Sequence, residues 1–382
     1  MSETTIKKEL NKPVVAVFVS RRVINNLKSQ KCNRYFRIKK LVDVNVIAQT
    51  TLYFFTYQDV DFEHLRIKGI YYDYDKNIWA EKDFPFPDVL YDRVKGKSRR
   101  RVALNNVREK FKEMGIKKIN PLDYFDKWEL YQILEKNDSL RPHLPLTRCL
   151  ESTEDLKILL KKSRCIYLKA CRGSRGKQVM SINKISKDRY EYRFYSKDVV
   201  VGEVRDLYAL FRLIHSFFHG RKVLVQQAIN LLTVDKCIID IRGELQRNGE
   251  GKLEVTAAPV RIGTKDAPIS TRGKSYPFEV LFKNYFNLSD DEVRNLKNKV
   301  DSFLIDVYQY IEQSYGLFGE IGIDIGIDKK GKFWIIECNS KSAKVSLCNT
   351  GDQETIEKGF LNPLEYARYI CCSLVTRDST FN

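Results

Sequence analysis

The chain has 382 residues with 43% hydrophobic and 12% aromatic content, which excludes disorder and predicts two or three domains at about 100 to 200 residues each. Sixty-seven basic against 49 acidic residues give a net charge of +18, and residues 1–120 alone hold 26 basic and 14 acidic residues. Nine cysteines with no CxxC pair fit neither a disulfide framework nor a zinc site, and they point to a reducing cytoplasm.

The first apolar run, Val14 to Val19 after Pro13, reads as a buried strand. It is short and lacks the small-residue cleavage site of a signal peptide. No other uncharged stretch has the length to cross a bilayer, so a soluble protein with no membrane partner is expected. Strands at Thr51 to Tyr57 and Val89 to Tyr91, with an amphipathic helix over Val102 to Met114, make residues 1–118 a small N-terminal α/β domain. The densest basic run is Lys95-Gly96-Lys97-Ser98-Arg99-Arg100-Arg101. It reads as a solvated loop or as a dock for an acidic peptide or phosphorylated substrate. No nucleic-acid module accompanies it, so nucleic acid is not the expected partner.

Asn120-Pro121 opens a second domain, 119–382, with an N-terminal and lid part at 119–227 and a C-terminal part at 228–382. A helix starts at Asp126-Lys127 and another spans Thr153 to Lys161. The strand Cys165 to Lys169 runs into the loop Arg172-Gly173-Ser174-Arg175-Gly176-Lys177, and the strand Gln178 to Ile182 leaves it. Glycines let backbone N–H groups approach phosphate while the cations offset its charge, although neither a P-loop nor a dinucleotide fingerprint is present. A helix over Asp206 to Phe218 precedes the strand Lys222 to Gln226, and Gln226-Gln227 ends it in amides, as an adenine-reading hinge could. Strands Cys237 to Glu244 and Lys252 to Arg261 carry Asp240, Arg242 and Arg261. Buried strand arginines need partners, and phosphate or carboxylate suits their forked geometry. A helix over Asp290 to Tyr315 follows.

In Glu320-Ile321-Gly322-Ile323-Asp324-Ile325-Gly326-Ile327 every odd position is isoleucine and every even one is acid or glycine. Side chains alternate across a strand, so one face is core and the other keeps two carboxylates. Phe333 to Asn339 returns after the turn Asp328-Lys329-Lys330-Gly331, and centring the hairpin on Lys330-Gly331 sets Asp324 opposite Glu337. Trp334 and Ile336 are then expected against the isoleucine face. Asp324, Glu337 and Asn339 on one cleared face suit magnesium, which takes hard oxygen ligands. A merely wet strand is the alternative, and the glycines argue against it.

The order of a helix-start lysine, a strand lysine, a glycine loop, hinge amides, Asp-x-Arg, and Asp324 before Glu337-x-Asn339 resembles the ATP-grasp superfamily. From Asn120-Pro121 to Asn339-Ser340 the chain is most similar to its endospore-coat-associated, YheC/YheD-type branch. The resemblance implies an α/β and α+β protein, in which a two-subdomain fold holds ATP with Mg2+. By position, Lys127 and Lys169 would hold phosphates under Gly173, Ser174, Arg175 and Gly176, and Gln226, Gln227, Ala228 and Ile229 would line the adenine. Asp240 joins the nucleotide-side residues. Asp324, Glu337 and Asn339 would hold magnesium, and Arg242 and Arg261 would face the transferred phosphoryl group.

The implied reaction is phosphorylation of a carboxylate by ATP, then attack of an amine on the acyl phosphate. Such chemistry needs positioning and charge neutralisation more than a protein nucleophile. The expected partners are a carboxylate substrate and an amine co-substrate, with an acidic peptide or protein suggested by residues 95–101. A phosphotransferase and a nucleotide-binding coat scaffold without turnover stay open. At Ile269 to Lys274, where relatives commonly carry an asparagine and two glycines, only Gly273 remains.

Overall fold

A computed structural model describes residues 12–30, 35–94, 101–173, 178–196, 198–265, 273–350 and 352–372. The basic run at 95–100, the loop residues Ser174, Arg175, Gly176 and Lys177, and positions 270–272 lie outside the described residues.

Three sheets organise the described residues. In the first, Val14–Phe18 pairs in parallel with Thr51–Phe55 on one side and Val89–Asp92 on the other. Alternate residues serve two buried faces. Val15 and Val17 pack among residues of the helices Arg21–Lys28 and Phe36–Ala48, while Ala16 and Phe18 pack with Leu104, Val107 and Phe111 of the helix Arg101–Glu113. Burial on both faces explains why the strand is apolar at every position. An antiparallel hairpin, Arg66–Asp73 with Ile78–Pro85, extends this sheet where the sequence reading has no strand. The last helix, Gln353–Cys372, returns to the first sheet and buries Phe360, Leu364 and Ala367 in the same cluster as Val15.

The second sheet is antiparallel, in the order Val199–Arg205, Arg189–Tyr195, Val179–Ser186, Cys165–Ala170, Val223–Gln227, Thr147–Cys149. One face is sealed by the helices Thr153–Lys162 and Leu207–Phe218 through Leu156, Leu159, Leu210 and Ile214. Register puts Ile166, Leu168, Val223 and Val225 on that face and Tyr167, Lys169, Leu224 and Gln226 on the other.

The third sheet centres on Cys237–Arg247, flanked by Val260–Ile262 and by Glu320–Ile327, which pairs with Phe333–Asn339. The expected strand from Lys252 to Arg261 is two strands, Leu253–Ala257 and Val260–Ile262. They part at Ala258-Pro259, because proline brings no ladder N–H. The Pro259 carbonyl still accepts from the Arg242 N–H at 2.9 Å. The helix Asp290–Tyr315 covers the apolar face with Phe303, Leu304 and Val307, and Ser289 and Glu292 close its start as a capping box.

All four hairpin isoleucines, 321, 323, 325 and 327, are buried in that core, and Asp324 pairs with Glu337. The pairing is reached through a bulge. Ile325 faces Ile335 while Asp324 faces Glu337, which leaves Ile336 as the extra residue. Hence Ile335, not Trp334 and Ile336, joins the isoleucine face, and it is 5% exposed. Without the bulge the alternation from Trp334 would put Ile335 and Glu337 on one face.

The bulge makes a prediction. Ile335→Ala should destabilise the protein by about 2–5 kcal/mol, as truncation of a core isoleucine does, and Ile336→Ala by less than half of that. Urea denaturation of the two variants decides it, and a reversed ranking would remove the bulge.

Candidate functional site

On the strand Cys237–Arg247, Ile239 and Ile241 enter the core, so Asp240, Arg242 and Glu244 share the opposite face. Antiparallel neighbours set Arg242 beside Asp324 and Asp240 beside Arg261. Arg242 Nη1 donates to Asp324 Oδ1 at 2.6 Å, and Arg261 Nη2 lies 3.1 Å from the same oxygen. Arg261 is held from behind by both oxygens of Asp240, at 2.7 and 2.5 Å. Arg242 Nε donates to Glu244 at 3.1 Å and its Nη2 to Ser342 Oγ at 3.3 Å. All six residues are buried. Burial raises the Asp324 carboxyl pKa, but Arg242 and Arg261 more than offset it, and the group lies below the usual carboxylate range.

The glycines opposite the isoleucines have a different use from the open metal platform that the sequence suggests. A Cβ at Gly322 would lie 2.9–3.0 Å from the Arg242 guanidinium, and one at Gly326 would lie 2.6 Å from Leu231. Gly322 is therefore the seat of an arginine.

A second group of charges lines a pocket between the second and third sheets. Lys127, Lys169, Gln226 and Glu337 meet there against an apolar wall that includes Tyr131, Leu144 and Leu224. Lys127 opens the helix Lys127–Glu135, whose N-cap Asp126 accepts from the Trp128 N–H. Its Nζ donates to Glu337 Oε1 at 2.9 Å and to the Gly173 carbonyl at 3.2 Å. Lys169 Nζ donates to Gln226 Oε1 at 2.8 Å, and Gln226 donates onward to Thr147 Oγ1 at 2.9 Å. Burial pushes the Lys169 ammonium down to about 8, with Glu337 opposing and Lys127 adding to the fall.

The sequence candidates thus fall into two groups, with Lys127, Lys169, Gly173, Gln226 and Glu337 around the pocket and Asp240, Arg242, Arg261 and Asp324 in the buried network beside it. Asn339 sits opposite Gly322, one pair beyond Cys338. Gln227 falls on the helix-covered face with Val223 and Val225, away from Gln226. The backbone N–H groups of Gln227 and Ala228 are already bonded to Leu146 and Cys165, at 2.8 and 3.2 Å. Asp240 serves as the counter-ion of Arg261.

Sequence reading missed Glu244 and Ser342, which fix Arg242. It also missed Glu320 as a hub that receives Arg93 Nη1 at 2.6 Å, Tyr91 Oη at 2.9 Å and the Lys344 ammonium. Glu244 was findable by extending the Asp240, Arg242 alternation one step. Ser342 and Lys344 come from an irregular loop with no such signal.

The donors fit magnesium. Among the described residues no three His, Cys, Asp or Glu side chains form a closed cage. Two carboxylates and an amide are hard oxygen ligands, and magnesium commonly keeps waters and phosphate oxygens in its remaining positions. Both arginines reach Asp324 through Oδ1, and no hydrogen bond from a described residue reaches Oδ2.

A family described as YheC/D like ATP-grasp matches residues 115–370. The endospore coat-associated protein YheD of Bacillus subtilis (strain 168) is 24% identical over 371 residues, covering 95% of this chain and 80% of its own. Among solved structures, the D-alanine-D-alanine ligase from Coxiella burnetii superposes with a TM-score of 0.54 at 11% identity, covering 97% of this chain and 100% of that one. The ATP-grasp ligase PsnB, complexed with a phosphomimetic variant of its minimal precursor, Mg and ADP, gives 0.51 at 12% identity over 94% and 99%. These likenesses show the ATP-grasp fold.

The network separates the two carboxylates. Asp324→Asn leaves two buried arginines short of a counter-ion and should cost about 3–5 kcal/mol in the ligand-free protein. Glu337→Gln breaks a partly exposed pair and should cost about 1 kcal/mol or less. Acid should erase the Asp324 contribution as pH falls through its lowered pKa, since that contribution is fully present only above the usual carboxylate range. Denaturation of both variants at neutral and acid pH checks this.

Proposed function

The chain belongs to the YheC/D-like ATP-grasp family, and on that premise we propose that it is an ATP-dependent carboxylate–amine ligase. ATP phosphorylates a substrate carboxylate, an amine attacks the acyl phosphate, and an amide leaves with ADP and phosphate. The observation that carries the reading is the pocket in which Lys127 and Lys169 meet Glu337 beside an apolar wall. An adenine suits the wall and a polyphosphate suits the lysines. Lys169 is supporting detail, since an ammonium pushed down by burial is one that an incoming anion restores.

Asp324, Glu337 and Asn339 are the residues that would hold magnesium, whose charge would neutralise the phosphates when bound. Arg242 and Arg261 would face the transferred phosphoryl group, and they are paired with Glu244 and Asp240. Cations so fixed need no rearrangement as negative charge develops. A peptide or protein tail is the proposed carboxylate substrate, in keeping with the precursor bound by the structural neighbour PsnB.

Two measurements test the reading. The purified protein with Mg-ATP and a panel of peptides, acids and amines should release ADP and phosphate together with an amide product seen by mass spectrometry. A phosphorylated product, or binding without turnover, would refute the ligase reading. The second is proton linkage. Phosphate beside Lys169 raises its pKa above about 8, so nucleotide binding takes up a proton in that window and affinity falls as pH rises through it. Calorimetry in buffers of different ionisation enthalpy should show this uptake for wild type and not for Lys169→Met.

A further inference from the structure

We propose that magnesium reaches the acid face only in company with a nucleotide, because Lys127 holds Glu337 until phosphate draws the ammonium away; this rests on the ATP-binding reading above. Lys127 opens a helix that packs into the third-sheet core through Leu130, Tyr131 and Leu134, and its backbone also bonds to the chain leaving the second sheet. Its N–H donates to the Cys171 carbonyl at 3.2 Å, and its neighbour Asp126 accepts from Arg172 Nε at 3.2 Å. The side chain pairs with Glu337 of the third sheet while also holding the Gly173 carbonyl. One ammonium therefore ties the start of the glycine loop to the strand that carries Glu337 and Asn339.

The charges on the acid face are matched without metal. Arg242 and Arg261 balance Asp324, and Lys127 balances Glu337. Carboxylates so matched exert little net pull on a free divalent cation, and an ammonium beside Glu337 repels one. The arginines cannot yield, being buried and held from behind by Glu244 and Asp240. Lys127 can. Its side chain is 19% exposed, has a flexible four-carbon stem, and among the described residues makes no other ion pair. A polyphosphate offers that ammonium a denser negative charge than one carboxylate, and its departure leaves Glu337 open to a cation that arrives with the phosphates. Lys169 shares the cleft but donates to an amide, so it is an internal control for charge without contact.

The test titrates the full chain with Mn2+ as the probe ion, reading free Mn2+ by electron paramagnetic resonance with and without ATP. A protein-free ATP titration is subtracted, and circular dichroism confirms that each variant is folded. Wild type should bind Mn2+ about tenfold or more tightly with ATP than without. Lys127→Met should bind Mn2+ alone about tenfold more tightly than wild type, and Lys169→Met should gain clearly less. Tight Mn2+ binding by nucleotide-free wild type, or equal gains from both variants, overturns the proposal. Failure of ATP to bind wild type at all overturns the nucleotide reading instead, and the metal-only comparison of the two variants still decides the role of Lys127.

Discussion

Two buried arginines share one oxygen of Asp324, and much of the third sheet is arranged to make that tolerable. Ions taken out of water are costly unless each meets a partner with good geometry. Strand pairing supplies the partners here. Asp240 lies beside Arg261, Arg242 lies beside Asp324, and Glu244 continues the same face. Gly322 leaves room for the guanidinium, and Ser342 closes the end of the row. The isoleucine face then secures the register, because a slip of one residue would carry the acids into the core. An apolar pattern on one side of a strand thus guarantees an ionic pattern on the other.

The second sheet differs in leaving one face uncovered by its own helices. Tyr167, Lys169, Leu224 and Gln226 look out from it toward the third sheet, and the Lys127 ammonium joins Gly173 to Glu337. A cleft between one sheet saturated with paired charges and another that carries a reluctant ammonium has an evident asymmetry. The incoming anion gains most on the second-sheet side, where burial has already lowered the Lys169 pKa. The third sheet instead presents charges whose partners are already in place, so its dipoles need not reorganise.

How much of this was legible depends on whether one strand or several were needed. Period-two alternation in 320–327 was enough to give the core face and the acid face, and centring the hairpin on its Lys330-Gly331 turn gave the Asp324–Glu337 pairing. The bulge at Ile336 was not legible, because an extra residue changes which neighbour is met without changing composition. Gln227 was placed at the adenine by its position after Gln226, although the same alternation sends it to the helix face. Asp240 and Arg242 were visible as charges, but their roles as counter-ion and occupant of the Gly322 seat required the neighbouring strands. Arg93, Ser342 and Lys344 reach the site from distant, irregular segments, where no short-range period exists to read.

The last helix closes the first sheet. Arg368 donates to the carbonyl of Ala48 across 320 residues of sequence, and Lys117 accordingly donates to that of Ile370. The face containing Val15 and Val17 therefore stays unsealed until almost the whole described chain has emerged from the ribosome. The helix-covered part of the second sheet, built from residues 147–227, draws its core from one continuous stretch. Local contacts form with less loop-closure entropy than distant ones. During synthesis the Ala16 and Phe18 face of the first sheet, whose core lies within residues 16–111, and then the second sheet can complete their cores early, and only the Val15 and Val17 face must wait for the helix Gln353–Cys372.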